Sequence, residues 1–126
     1  MACAKVYLVG AGPGDVGLVT LKAVHCLQCA DVIVYDHLAN PELLSFARQG
    51  VELVFAGKYP KNHVLFQQEI NRLLVRHAKA GKIVVRLKGG DPLLFGRGAE
   101  EALELAAAGI PFRAGPVGSR SVAFRR

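Results

Sequence analysis

Arg86-Leu87-Lys88-Gly89-Gly90-Asp91-Pro92-Leu93-Leu94-Phe95-Gly96-Arg97-Gly98 separates two runs of different character. Before it, Lys82-Ile83-Val84-Val85 is β-branched and reads as a buried strand. After it, residues 99–108 read as a helix stopped by Gly109. Paired glycines let a backbone turn sharply and approach a ligand without interference from Cβ. Pro92 cannot donate to a ladder, so the strand ends before it. Asp91 then lies at the carboxyl end of a strand, where open α/β sheets bind ligands. The same residues also suit a plain tight turn with Asp91 capping the helix.

Outward from this stretch the pattern alternates. Strands are read at 5–9, 32–35, 52–55 and 82–85, with a short fifth at 111–114. Helical patterns cover 18–30, 41–48, 66–80 and 99–108. Gly50, Gly81 and Gly109 stop the last three, and Pro41 opens the second. Strands alternating with helices predict an α/β fold, a mainly parallel five-stranded sheet with helices on both faces. Residues 1–114 read as one domain. Residues 115–126 are Gly-, Ser- and Arg-rich and read as a divergent tail with no ordered element.

In this reading Asp36, Lys58 and Asp91 each sit just past a strand's carboxyl end. A parallel sheet puts those ends on one edge, so the three are expected to share a crevice. A lysine between carboxylates suits proton transfer, although three ordinary loop charges give the same pattern. Gly12-Pro13-Gly14-Asp15-Val16-Gly17 satisfies G-x-G-x-x-G after a strand, with Asp36 placed like a ribose-binding acid. That favours a dinucleotide-binding module. Asp15 beside a pyrophosphate and the missing N–H of Pro13 argue against it.

Composition narrows the classes. The 126 residues are 52% hydrophobic before counting 14 glycines, an apolar excess that implies surface covered by a partner or a further domain. No 18-residue apolar run is present, so no membrane partner is expected, and no signal peptide is read at the amino terminus. Three cysteines make no disulfide framework and point to a reducing, cytoplasmic setting. Cys26-Leu27-Gln28-Cys29 falls within a helical pattern with no second ligand cluster, so no metal is expected and both thiols read as buried small hydrophobes. His63 reads as a surface residue of a polar loop. The net charge of +6 suits an acidic ligand; without basic–aromatic interleaving or a nucleic-acid motif, no nucleic-acid partner is expected.

Five stretches taken together resemble one family: Val6-Tyr7-Leu8-Val9-Gly10-Ala11-Gly12-Pro13-Gly14-Asp15, Ala30-Asp31-Val32-Ile33-Val34-Tyr35-Asp36, Gly57-Lys58, Gln67-Gln68-Glu69-Ile70-Asn71, and residues 84–98. They are similar, nearly without gaps from Lys5 to Phe112, to the amino-terminal half of the uroporphyrinogen-III C-methyltransferases within the tetrapyrrole methylase group. The resemblance implies a two-domain, usually homodimeric enzyme with its active site between the domains. It implies methyl transfer from S-adenosyl-L-methionine to uroporphyrinogen III, an acidic tetrapyrrole, giving precorrin-2 for siroheme and cobalamin, with S-adenosyl-L-homocysteine as product. By position it implies that Pro13, Gly89, Gly90, Asp91 and Leu94 line the donor site, joined by Ser119 and Arg120. Asp36 would accept a proton and Lys58 would donate one. His37 and Tyr59 stand where the family usually has arginine, and the register breaks after Phe112. The expectation is therefore an amino-terminal half of such an enzyme, with a non-catalytic interaction domain as the alternative.

Overall fold

The computed structural model describes residues 5–10, 21–35, 41–56, 63–88, 98–115 and 122–124, except for the side chains of 63–67, 98–99, 114–115 and 122–124. In chain order the elements are β1 (Val6–Gly10), α1 (Leu21–Cys29), β2 (Val32–Tyr35), a 3₁₀ helix (Pro41–Phe46), β3 (Glu52–Phe55), α2 (His63–Lys79), β4 (Val84–Lys88), α3 (Gly98–Ala107), β5 (Phe112–Gly115) and β6 (Val122–Phe124). They build one sheet in the order β3-β2-β4-β1-β5-β6. The first five strands are parallel, and β6 pairs antiparallel with β5.

Side-chain alternation divides the core between the two sheet faces. Val6, Leu8, Val32, Val34 and Val84 face one way and pack with Ile70, Leu74 and Ala78 of α2 and Leu105 of α3. Val9, Ile33, Val85 and Leu87 face the other way and pack with Ala23, Cys26 and Leu27 of α1 and Leu43 of the 3₁₀ helix. The α/β layering expected from the alternation is therefore present, with a sixth strand added.

Several boundaries differ from the sequence reading. β4 runs to Lys88, so Arg86 and Lys88 are strand residues and not the start of a loop. α2 begins at His63, which opens the helix and does not sit in a loop. The segment from Pro41 is a 3₁₀ helix, its turn tightened where the Ser45 hydroxyl donates to the Glu42 carbonyl at 2.7 Å. The tail was expected to carry no ordered element, yet Val122–Phe124 pairs with Phe112–Ala114. The open backbone edge of β5 is a ready template for such pairing.

The three glycine stops, Gly50, Gly81 and Gly109, all use the left-handed conformation. Gly81 has φ +89°, and the amides of Gly81 and Lys82 donate back to Ala78 and His77 at 3.0 and 3.2 Å. Gly109, at φ +73°, ends α3 with the same pair of bonds from Gly109 and Ile110 to Ala106 and Leu105. These close the last helical carbonyls and turn the chain toward β4 and β5.

At the amino edge of the sheet, the Asp31 carboxylate accepts from the Ile83 amide at 2.8 Å and from Arg48 at 2.6 Å. It thereby ties the starts of β2 and β4 to the chain leaving the 3₁₀ helix. The Ile83 hydrogen bond first, and Arg48 second, hold its pKa below the ordinary 3.8. The depressed folded value means that this stabilisation is complete above the ordinary pKa and is lost as pH falls through the folded one. Arg48 is exposed, so the ion pair itself contributes little. Asp31→Asn is expected to cost about 1 kcal/mol at pH 7. Urea denaturation across pH 7 to 3 should show the gap between parent and variant closing at the acid end.

Candidate functional site

The parallel register brings four strand exits to one edge. Phe55 pairs with Tyr35, Tyr35 with Leu87 and Leu87 with Val9, so the four residues form one row across β3, β2, β4 and β1. Three inter-strand spacings make that row about 14 Å long. Beyond it the chain continues from β1 into 11–20, from β2 into 36–40, from β3 into 57–62 and from β4 into 89–97.

The elements that follow these exits lie on alternate faces. β3 leads to α2 and β4 to α3, both packed on the Val84 face. β2 leads to the 3₁₀ helix and β1 to α1, both packed on the Val85 face. In the sheet order each neighbouring pair of exits therefore diverges, the arrangement that opens a ligand crevice outside the carboxyl ends of an α/β sheet.

Pro13, Asp36, Lys58, Gly89, Gly90, Asp91, Leu94, Ser119 and Arg120, the residues singled out from sequence, all lie outside the described residues. The strands leading to them are described. Asp36 follows Tyr35 directly, Gly89 follows Lys88, and Lys58 is two residues beyond the buried Ala56.

A charged cluster not anticipated from sequence lies beneath this edge. Arg86, Lys88 and Glu101 are all buried, on the face that carries Val84. Arg86 Nε donates to Glu101 Oε2 at 3.0 Å, and Lys88 Nζ lies 3.6 Å from Glu101 Oε1. The Arg86 guanidinium also donates to the Leu87 carbonyl at 3.3 Å and reaches the Val34 carbonyl at 3.5 Å. A sequence signal existed. Val84, Arg86 and Lys88 share the period of two, while Glu101, Leu105 and Ala108 share one helix face.

The two helical cysteines differ. Cys26 is buried between α1 and the sheet, as expected, but Cys29 is exposed, with its Sγ 3.6 Å from His25 Nε2. Burial, and then neighbouring Cys29, push the Cys26 thiol pKa up. Among the described residues, no group of three His, Cys, Asp or Glu side chains is placed to hold a metal ion. Among the same residues, no helix is long and apolar enough to cross a membrane.

The model of the tetrapyrrole (corrin/porphyrin) methylases matches residues 5–117. The chain belongs to this family. It is 56% identical over 108 residues to a uroporphyrinogen-III C-methyltransferase of Bacillus subtilis, covering 86% of this chain and 42% of that protein. It is likewise 56% identical over 112 residues to a siroheme synthase of Acinetobacter baylyi, covering 89% of this chain and 24% of the relative. The crystal structure of a Thermus thermophilus uroporphyrin-III C-methyltransferase complexed with S-adenosylhomocysteine superposes with a TM-score of 0.77 at 50% identity, over 90% of this chain and 48% of that one. The chain thus spans less than half the length of these relatives.

Thiol chemistry separates the two cysteines in the test tube. Iodoacetamide at pH 8 is expected to alkylate Cys29 at least about 10-fold faster than Cys26, because only the thiolate reacts. Peptide mass spectrometry over a time course measures both sites at once.

Proposed function

We propose that this chain supplies the amino-terminal, donor-binding half of an S-adenosylmethionine-dependent methyltransferase acting on uroporphyrinogen III. The observation that carries the reading is the carboxyl edge of the sheet. Exits from β1 and β4 diverge there and continue into the two glycine-rich stretches, 11–20 and 89–97. That edge fits a methyl donor held against backbone. Its support from outside the chain is a relative crystallised with S-adenosylhomocysteine at 50% identity.

When bound, the sulfonium donor supplies an electrophilic methyl group. The chain's own residues would do the rest. Glycines 89 and 90 let the main chain approach the donor, and Pro13, Asp91, Leu94, Ser119 and Arg120 complete the donor pocket. A pyrrole ring that gains a methyl group on carbon uses a pair of its π electrons for the new bond and becomes cationic, and the substrate must lose a proton to restore neutrality. Asp36 accepts that proton, and Lys58, from the neighbouring strand exit, is the proton donor for the accompanying tautomeric shift of the substrate. In that shift the proton Lys58 gives to one ring position is matched by one released from another to solvent. The net charge of +6 attracts a substrate carrying several carboxylates. In a homodimer, the exposed Leu53 and Phe55 on edge strand β3 are a face a second copy could cover. Thiols kept free at Cys26 and Cys29 accord with a cytoplasmic setting.

Calorimetric titration with S-adenosylhomocysteine, with NAD as comparator, tests the reading. The chain is expected to prefer S-adenosylhomocysteine, with Asp91→Ala lowering affinity at least 10-fold, about 1.4 kcal/mol. Preference for NAD would sink the methyltransferase reading in favour of a dinucleotide module.

A further inference from the structure

We propose that His25 and Cys29, on the outer face of α1, form a two-ligand site for a tetrahedral divalent cation, zinc above all, with water completing the shell. The proposal stands apart from the donor-site reading. It concerns side chains that methyl transfer does not use.

Placement is the first argument. Ala23, Cys26 and Leu27 bury one face of α1 against the sheet, and the buried Ala30 follows the helix directly. His25 and Cys29 are exposed on the other side, one helical turn apart. The sequence pattern Cys26-Leu27-Gln28-Cys29 suggests a pair of thiols, but the helix turns Cys26 inward. It sets Cys29 instead beside a histidine, with Sγ 3.6 Å from Nε2. A thiolate and an imidazole at positions i and i+4 on a backbone anchored from below make a chelate, not a lone thiol.

The separation of the two donor atoms is the second argument. Zinc binds sulfur at about 2.3 Å and imidazole nitrogen at about 2.0–2.1 Å, so a tetrahedral ion spans about 3.6 Å between them. With the same bond lengths a linear ion would need about 4.3 Å and a square-planar one about 3.1 Å. The observed 3.6 Å therefore selects tetrahedral coordination. The ligand types agree, since zinc takes both thiolate and imidazole. The last turn of α1 also carries no basic residue, whereas that of α2 carries Arg76, His77 and Lys79. A cation beside Cys29 would complement the partial negative charge of that helix end. On binding, the thiol proton leaves to solvent, the sulfur donates as thiolate and His25 donates through Nε2. Two protein ligands are half of a structural zinc shell, so the site suits reversible binding and leaves positions open to a further ligand.

Protection from alkylation tests the site on the full, reduced 126-residue chain. Iodoacetamide labelling is followed by peptide mass spectrometry with and without zinc chloride, for the parent, His25→Ala and Cys29→Ser. Both substitutions fall on exposed positions, and urea midpoints without zinc check that the variants fold as the parent does. Zinc is expected to slow alkylation of Cys29 in the parent at least about 10-fold, because the bound sulfur is no longer free to attack. At the same zinc concentration the protection should be lost in His25→Ala, and lost in the parent once urea unfolds α1. Calorimetric titration with zinc chloride should show one ion per chain bound, with affinity lowered at least about 10-fold in either variant. Absence of protection in the folded parent would overturn the proposal. Equal protection in His25→Ala or in the unfolded chain would overturn it too, since the thiol would then bind without its partner. No methyl donor enters the experiment, so its failure is distinct from failure of the titration with S-adenosylhomocysteine.

Discussion

Insertion of β4 between β2 and β1, parallel to both, is the constraint on which the rest of the molecule depends. Each residue of β4 is buried, and its ladders align Tyr35 with Leu87 and Gly10 with Lys88. Because all pairing is parallel from β3 to β5, every carboxyl end falls on the same edge. The elements following neighbouring strands pack on opposite faces of the sheet, the arrangement that places a ligand crevice outside the carboxyl ends of α/β sheets. A shared carboxyl edge is therefore a consequence of strand order, before any side chain is considered.

Much of this was legible in the sequence for a simple reason. Strands buried on both faces read as continuous apolar runs, as at Val32-Ile33-Val34 and Ile83-Val84-Val85. Glycines that need positive φ marked helix ends at Gly81 and Gly109, where the backbone adopts that conformation. The family resemblance rested on motifs at strand exits, and the match over residues 5–117 agrees with it.

What was not legible has physical causes too. Arg86 and Lys88 carry charge, and charge within a run reads as the end of a strand. The tertiary partner Glu101, 15 residues from Arg86, together with the Val34 and Leu87 carbonyls that Arg86 reaches, makes a charged residue compatible with a buried strand. The 3₁₀ geometry after Pro41 depends on a local side-chain bond from Ser45 that competes with the α-helical pattern. The three-residue β6 is too short to announce itself and is defined by the edge of β5 it pairs with. The proposed catalytic and donor residues follow the described strands in the chain, and their assignment rests on the motifs and on the family.

The proposed chemistry assigns a donor site and a proton acceptor, Asp36, to the residues that follow the strands on one edge. The most direct measurement is methyl transfer by a chimera. In it, the matched 108-residue stretch of the Bacillus subtilis relative is replaced by the corresponding residues of this chain. With S-adenosylmethionine and uroporphyrinogen III, the chimera should form methylated product, and Asp36→Asn should lower turnover at least about 100-fold at unchanged stability. A folded chimera that forms no methylated product, or one indifferent to Asp36→Asn, would contradict the account.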